Sequence, residues 1–467
     1  ATDPEGLPLT WSSSSSGLTN EATITQGTGD SSNYFTVTPS TTSAHAGTFT
    51  LTIAATDNVN GAVNWPIGFT LDFSIAWNNA TLQQKLRNSD YTTSHTFGGF
   101  VDLAGDYLLA TASRYDGDGY QNTGAGFIFT RSGTTWTQQA KLDYTTTYNE
   151  NNVLLGQSGV LNEDATEVLM RSVGKTSYGD LPRITSFTRS GSTWTEGQSI
   201  IQPAGIPTTY GYIAKWGEYG NLVQKGNYFA VGAEDDHGTA STSGATRIGS
   251  AWVYYKSGTW SLQQELVPSD TGDLDFGEAL CMPNDSTIMV GAPNYSNQKG
   301  AVYIFERTGT SWSQTARILS PTPTVENIFG SSVASDGTYL AVGQTKYPSK
   351  TNVGIVYMYK KISGTWTQQT SLQASDASGG EYFGEYVSMR DGNLLVAGYA
   401  HKVYVFSRSG DVWTQKLIIG PSIDGSAAGD GVWNLGRNDG GMTFNKDDTK
   451  DDFVLGSGNR YAYVYKV

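Results

Sequence analysis

The sequence predicts an all-β protein: a seven-bladed β-propeller with its N- and C-terminal strands closing one blade, preceded by a small β-sandwich. Three observations predict it. A turn followed by Trp and a polar strand recurs through most of the chain, each recurrence carries four strand-like segments, and an orphan strand near residue 80 complements an incomplete last unit.

The recurrent element reads GTTWTQQAKL at Trp136, GSTWTEGQSI at Trp194, SGTWSLQQEL at Trp260, GTSWSQTARI at Trp312, SGTWTQQTSL at Trp366 and GDVWTQKLII at Trp413, with Trp spacings of 58, 66, 52, 54 and 47. Before most of these lies an apolar strand ending near Arg or Lys, as in GFIFTR, AWVYYK, AVYIFER, IVYMYK and KVYVFSR. Earlier still comes a strand such as LAVG at Leu340 or IMVGA at Ile288, and before that an FG pair at Phe97, Phe276, Phe329 or Phe383. Four antiparallel strands in roughly 40 to 50 residues is the size of a propeller blade, whereas helical solenoids would show a 3.6-residue period. AVYIFER is apolar on both faces, as a strand stacked between two neighbouring sheets should be. The FG and VG glycines fit either close backbone approach of inner strands around the axis or simple turns.

The ends fix the count. After Trp413 the last unit supplies an inner strand, a second strand near Phe453 to Leu455 and a third at Tyr461 to Tyr465, and then stops. Near the other end, ATLQQKL (Ala80 to Leu86) aligns with WSLQQEL (Trp260 to Leu266), with Ala80 in place of Trp. Pairing these two pieces gives seven complete units and removes the open edges that template aggregation. Six or eight blades stay open because the last unit is the most degenerate.

Residues 1–72 form a separate domain by texture, and 73–467 the propeller. The first segment alternates polar and apolar residues in ATITQ, YFTVT, TFTLTIAATD and FTLDF, lacks the repeat Trp, and reads as a small β-sandwich. The chain enters this pattern at once, so residue 1 is expected to be internal to a longer polypeptide whose other modules would be its neighbours.

Composition narrows the function classes. Only 15% of the 467 residues are charged while 12% are aromatic and 56 are Gly, which favours strands and tight turns. A net charge of −14 argues against a nucleic-acid groove or an anionic membrane surface as partner. The single cysteine, Cys281, makes no intrachain disulfide, and no apolar run reaches the length needed to insert in a membrane.

The succession of FG, AVGA and VYVF segments resembles the FG-GAP repeats of integrin α-subunits and of bacterial and phage extracellular proteins. FGSSVASDGTYLAVG from Phe329 and FGEYVSMRDGNLLVAG from Phe383 carry the resemblance best. ATDPEG and AATD in the first domain resemble cadherin-like, immunoglobulin-like surface modules. The FG-GAP resemblance implies calcium cages in the loops between first and second strands. Here ASDGTY, MRDGNL and MPNDST carry one acidic residue each and read as hairpin turns. The calcium candidates are therefore Asn445, Asp447, Thr449 and Asp451 at alternate positions in the last unit. The cadherin resemblance adds Asp3, Glu5 and Asp57 at a module junction.

No catalytic constellation is legible. The four histidines, His45, His95, His237 and His401, show no paired-ligand spacing, and neither a GxSxG elbow nor a phosphate loop occurs. Carboxylates converging from different blades would leave no linear motif, so a glycosidase pair stays open. Binding is better supported. The turns between third and fourth strands are nearly uniform (RSGTT, RSGST, KSGT, RTGTS, ISGT, RSGD), whereas the other two loop classes vary widely and should emerge together on one face. They carry Tyr115, Asp116, Asp118, Tyr120, Tyr178, Tyr210, Asp235, Asp236, His237, Tyr295 and Tyr347, a mix suited to protein or sugar contacts. The expected role is a non-enzymatic adhesion or structural protein, extracellular, on a cell surface or virion, contacting protein or glycan. The alternative is a lectin or carbohydrate-active enzyme.

Overall fold

In the computed structural model the described residues are 9–16, 22–28, 33–39, 47–57, 59, 62–71, 80–90, 96–117, 119–144, 151–173, 181–203, 216–217, 222–234, 248–323, 327–345, 353–377, 380–398, 402–420, 441–447, 449–450, 452–457 and 461–466. The chain divides into two compact units, Ala1–Ile75 and Ala76–Val467.

In the first unit, Thr10–Ser16, Gly47–Thr56 and Val63–Leu71 form a three-stranded antiparallel sheet, and Ala22–Gln26 pairs with Phe35–Pro39. The serine run is thus an edge strand, with Trp11 opposite Ala55 and stacked on Trp65 at 6.0 Å. Leu51 and Ala55 are buried, and Gln26 Nε2 donates to the Trp11 carbonyl at 2.9 Å. Pro66 lies on the other edge strand, where its missing N–H discourages further pairing.

Among the described residues of the second unit, the regular structure is all strand apart from one four-residue turn, Tyr295–Gln298. Among the described residues it contains seven four-stranded antiparallel sheets. The first six span residues 97–142, 158–201, 222–266, 279–319, 329–372 and 386–419 in chain order. The seventh joins Met442–Phe444, Asp452–Gly456 and Ala462–Lys466 to Thr81–Leu86, with Ala462 opposite Leu86 and Lys466 opposite Thr81. The sequence-distant closing pair is therefore present.

Burial follows strand position. In the fourth sheet the second strand, Thr287–Ala292, is buried throughout, and Ala301 to Phe305 of the third strand are at most 3% exposed. The outer strand Ser311–Leu319 alternates instead, as one flanked by solvent should. Apolar clusters join successive sheets: Tyr228, Ala230 and Val253 meet Ile288, Val290 and Tyr303, and Val454 and Val464 of the seventh sheet meet Leu108 and Phe127 of the first. Each such side chain contributes about 1.5–3 kcal/mol by leaving water.

Three recurrent contacts explain the repeat. The glycines act between neighbouring sheets, by close backbone approach. A Cβ on Gly232, Gly291 or Gly343 would lie 2.0 Å from the carbonyl oxygen of Gly277, Gly330 or Gly384 in the next sheet. Gly330 itself has φ +92°, a conformation only glycine adopts readily. Next, glutamines of the outer strands staple neighbouring outer strands together. Gln84 exchanges two hydrogen bonds with the Trp136 backbone (2.7 and 2.9 Å), as Gln198 does with Trp260 and Gln264 with Trp312. The indole N–H groups of Trp136, Trp194 and Trp312 donate to Gln83, Gln139 and Gln263 of the preceding sheet.

The third contact uses the cation that ends the third strand in five of the sheets, where it meets the residue that opens the second strand of the preceding sheet. Arg307 sits over Trp312 and Tyr228, at 5.9 and 4.6 Å from the ring centres. Arg189 covers Tyr107 and Arg408 covers Tyr339, at 4.3 and 4.2 Å. Where an acid opens the strand the contact is an ion pair: Glu167 with Lys256 at 2.9 Å, and Asp452 with Arg131 across the junction of seventh and first sheets. Such stacks add roughly 0.5–2 kcal/mol each according to their desolvation.

Candidate functional site

Antiparallel alternation puts the connections from second to third strand, and from outer strand to the next inner strand, at one end of every sheet. At the opposite end the turns are short and capped by their own side chains. Asp336 Oδ1, for instance, accepts from the N–H groups of Thr338 and Tyr339 at 2.9 and 2.7 Å. The first end is where the sequence varies.

The segment leaving an outer strand is anchored twice at this end, through a Ser-Asp pair that recurs as Ser89-Asp90, Ser269-Asp270 and Ser375-Asp376. The serine N–H groups donate to Gln138, Gln314 and Gln415 of the following sheet, each at 2.9 Å. Asp270 accepts from Tyr303 Oη at 2.8 Å and takes Arg317 at 2.5 and 2.6 Å. Asp90 accepts from Tyr115, and Asp376 from Lys402. Burial works against the ionised form of Asp270, but the hydrogen bonds from Arg317 and Tyr303 outweigh it and hold its carboxyl below the usual carboxylate range. Lys402 lowers Asp376 in the same way. A depressed carboxyl contributes stability that is complete above its unfolded pKa and disappears as pH falls through the folded one. The melting temperature should therefore be level above about pH 5 and fall below about pH 4. Asp270→Asn should make that acid-side fall shallower; an unchanged slope in a thermal scan against pH would show that the clamp does not contribute.

The individual candidates divide. Tyr115 is 6% exposed, packs edge-on against Phe127 and spends its hydroxyl on Asp90, so it belongs to the core and not to a ligand face. Asp116 Oδ1 caps the Asn122 N–H at 2.7 Å, and Gly117 and Tyr120 close the same turn with reciprocal backbone hydrogen bonds. Tyr120 is 41% exposed at its tip. Tyr295 is half-buried against the Arg317 guanidinium, 5.3 Å from its ring centre. Asp118, Tyr178, Tyr210, Asp235, Asp236, His237 and Tyr347 lie outside the described residues, as do Asp3, Glu5 and Asp451.

The loop considered for calcium has another task in what is described of it. Asn445 is fully buried and exchanges hydrogen bonds with the Gly105 backbone (2.7 and 2.9 Å), while Asp447 caps Thr449. Lys446 reaches Asp102 at 2.5 Å and Lys450 reaches Asp106 at 3.1 Å, tying the seventh sheet to the first. Two ammonium groups and side chains turned to backbone oppose a divalent cation. Asp57 caps the Val59 N–H at 2.8 Å. Among the described residues no group of three or more His, Cys, Asp or Glu side chains is placed to hold a metal ion. Burial pushes the Cys281 thiol up to about 12, which leaves it protonated and unreactive.

Two cavities stand out. One, of about 510 Å³, runs between the inner strands of all seven sheets, from Phe100 to Lys446. The other, of about 820 Å³, is a polar cleft at the variable end of the fourth sheet, between Ser269–Leu274 and Asn294–Gln298. Its wall holds Ser296, Asn297 and Gln298 in three successive left-handed conformations. Each costs about 1–2 kcal/mol for a residue with a side chain, and such strain concentrates where loops are held for a purpose. Asp270, Asp273, Asn294, Tyr295, Ser296 and Asn297 present hydroxyl, amide, carboxylate and ring to one space.

Comparison with known proteins finds an FG-GAP repeat within the sheets. The FG-GAP repeat family matches residues 366–412, from the outer strand of the fifth sheet to the first residue of the outer strand of the sixth. No curated protein matches the chain. Among solved structures, a protein from Lactobacillus plantarum is 10% identical, with a TM-score of 0.46 over 79% of this chain and 92% of that one. Saccharomyces cerevisiae Sqt1 is 12% identical, with a TM-score of 0.45 over 82% of this chain and all of that one.

Proposed function

We propose that this β-propeller protein is a non-enzymatic recognition module of an extracellular or particle surface, binding protein or glycan through the variable end of its sheets. In this reading the seven sheets are the blades of one ring closed by the pairing of Thr81–Leu86 with Ala462–Lys466. The first unit serves as a cadherin-like sandwich spacer. The observation that carries the reading is the contrast between the two ends. Recurrent clamps lock the sheets to one another, while one end alone carries long, unlike connections and a strained polar cleft.

That cleft favours sugars among the ligands, because paired hydroxyl and amide groups beside Tyr295 match the alternating donors and acceptors of a saccharide. The test is retention on a glycan array and on intact cells, alongside a sugar-release assay. Tyr295→Ala with Asn297→Ala should weaken retention at least about tenfold without lowering the melting temperature by more than a degree or two. Release of reducing sugar that Asp273→Asn abolishes would instead identify an enzyme and overturn the reading.

A further inference from the structure

The repeat is its own control. Where two sheets place the same residue at the same position and use it differently, the difference marks what folding does not require. Tyr115 of the first sheet and Tyr295 of the fourth are such a pair. Each stands three residues after the alanine that ends its second strand, Ala112 and Ala292.

Both rings meet the cation five residues after the Trp of their own outer strand. Lys141 lies 5.1 Å from the Tyr115 ring centre and Arg317 5.3 Å from that of Tyr295. Each tyrosine also neighbours the aspartate of a Ser-Asp pair, Asp90 or Asp270. The two sheets differ in which hydroxyl that aspartate takes. In the first sheet the third strand offers only Phe127, so Tyr115 folds in to donate to Asp90 and is left 6% exposed. In the fourth sheet Tyr303 of the third strand donates to Asp270 at 2.8 Å, which spares Tyr295 this duty. Tyr295 stays half-buried in the wall of the polar cleft.

It is held there nonetheless. Asn294, beside it, ties its turn to the other wall, its N–H donating to the Leu274 carbonyl at 3.1 Å and its Nδ2 to Asp275 at 2.5 Å. The ring rests against Arg317, whose guanidinium is locked on Asp270 at 2.5 and 2.6 Å. A guanidinium paired with a carboxylate brings no net charge, and a cation already on a ring opposes a second one there. Asp273, also lining the cleft, is exposed, where solvent and salt screen its charge. Ser296, Asn297 and Gln298 add neutral hydroxyl and amide groups beside the ring. An aromatic surface closed to ammonium groups and flanked by neutral donors and acceptors matches the C–H face and hydroxyls of an uncharged sugar ring. We propose that the fourth-sheet cleft takes a neutral pyranose against Tyr295, and that Arg317, which does not itself line the cleft, is the positioning residue that sets this ring. The inference deepens the sugar reading of this end and rests on it.

Saturation-transfer NMR on the full chain with methyl glucoside, methyl galactoside, methyl mannoside and glucosamine tests it. At least one neutral glycoside should bind, and glucosamine should bind more weakly. Tyr295→Ala should abolish binding. Arg317→Met, similar in length but without charge or donors, should weaken it about tenfold, and Arg317→Lys, the cation of the first sheet, should recover most of the loss. Asp270→Asn, which loosens the hold on Arg317, should weaken binding about threefold and serves if Arg317→Met does not fold. A merely structural Arg317 would lower the melting temperature of Arg317→Met and leave the affinity of the folded protein unchanged. That outcome overturns the positioning role and leaves the cleft standing. Tighter binding of glucosamine than of every neutral glycoside overturns the neutral-sugar assignment, and binding that survives Tyr295→Ala overturns this cleft as the site. Silence towards all these probes overturns the inference, and only silence on the glycan array as well overturns the sugar reading beneath it.

Discussion

Gly291→Ala should destabilise the second unit by at least about 4 kcal/mol, which places it among the most damaging single methyl additions to a core. The added Cβ would stand 2.0 Å from the Gly330 carbonyl oxygen and 3.1 Å from Ala279 Cβ, so one sheet must move off the next. The fourth and fifth sheets are held against each other by the Glu306–Lys361 ion pair at 2.8 Å and by the apolar cluster of Met289, Ile304, Val342 and Tyr357, which leaves no compliant direction. Gly309→Ala is the matched control. Gly309 has φ +63° with nothing within 4 Å of its missing Cβ, so its loss should cost only about 1 kcal/mol. Chemical denaturation of the two variants separates the effects. Equal midpoints would mean that sheet-to-sheet backbone contact is not what the glycine protects.

A chain beginning at residue 87 should lose cooperative folding, whereas one beginning at residue 76 should keep it. The shorter chain lacks Thr81–Leu86, which leaves Ala462–Lys466 as an open edge and Trp136 without Gln83 and Gln84. It also exposes the face covered by Leu86, which is 3% exposed. Losing a strand ladder, two staples and a buried leucine together removes at least about 5 kcal/mol, comparable with the whole stability of an ordinary domain. A synthetic peptide of residues 80–90 added in trans should restore part of the fold by strand addition. Full stability of the shorter chain without peptide would show that the ring does not depend on this closure.

Much of the propeller was legible because its repeat is written in local chemistry. A Trp after a tight turn, an apolar strand ending in a cation and an FG pair each recur at readable spacing, and the orphan ATLQQKL strand points to its partner by alignment alone. The reading missed the second and third FG positions, Leu155 and Trp216, because the aromatic residue is exchanged while the following Gly156 and Gly217 keep positive φ. It also placed Tyr115 on the surface. In the third strand of the first sheet, Phe127 occupies the position of Tyr303, and Tyr115 supplies from the loop the hydroxyl that Phe127 lacks. Only the paired geometry shows that exchange.

The metal candidates among the described residues turn to other tasks for a related reason. Alternating oxygen-bearing residues at 445, 447 and 449 look the same in sequence whether they face an ion or cap their own backbone, and Gly105, Asp102 and Asp106 of the first sheet decide between these by engaging Asn445, Lys446 and Lys450. By itself the sequence determined the strands, their order and the pairing that closes the second unit, because period-two patterning, turn chemistry and an internal repeat are local signals. Tertiary structure alone decided which polar residues are spent on clamps and which remain unmatched, as at Gln202 and Trp216. Hydrogen-bond satisfaction is settled between residues tens of positions apart, across sheets that meet only once the chain has folded.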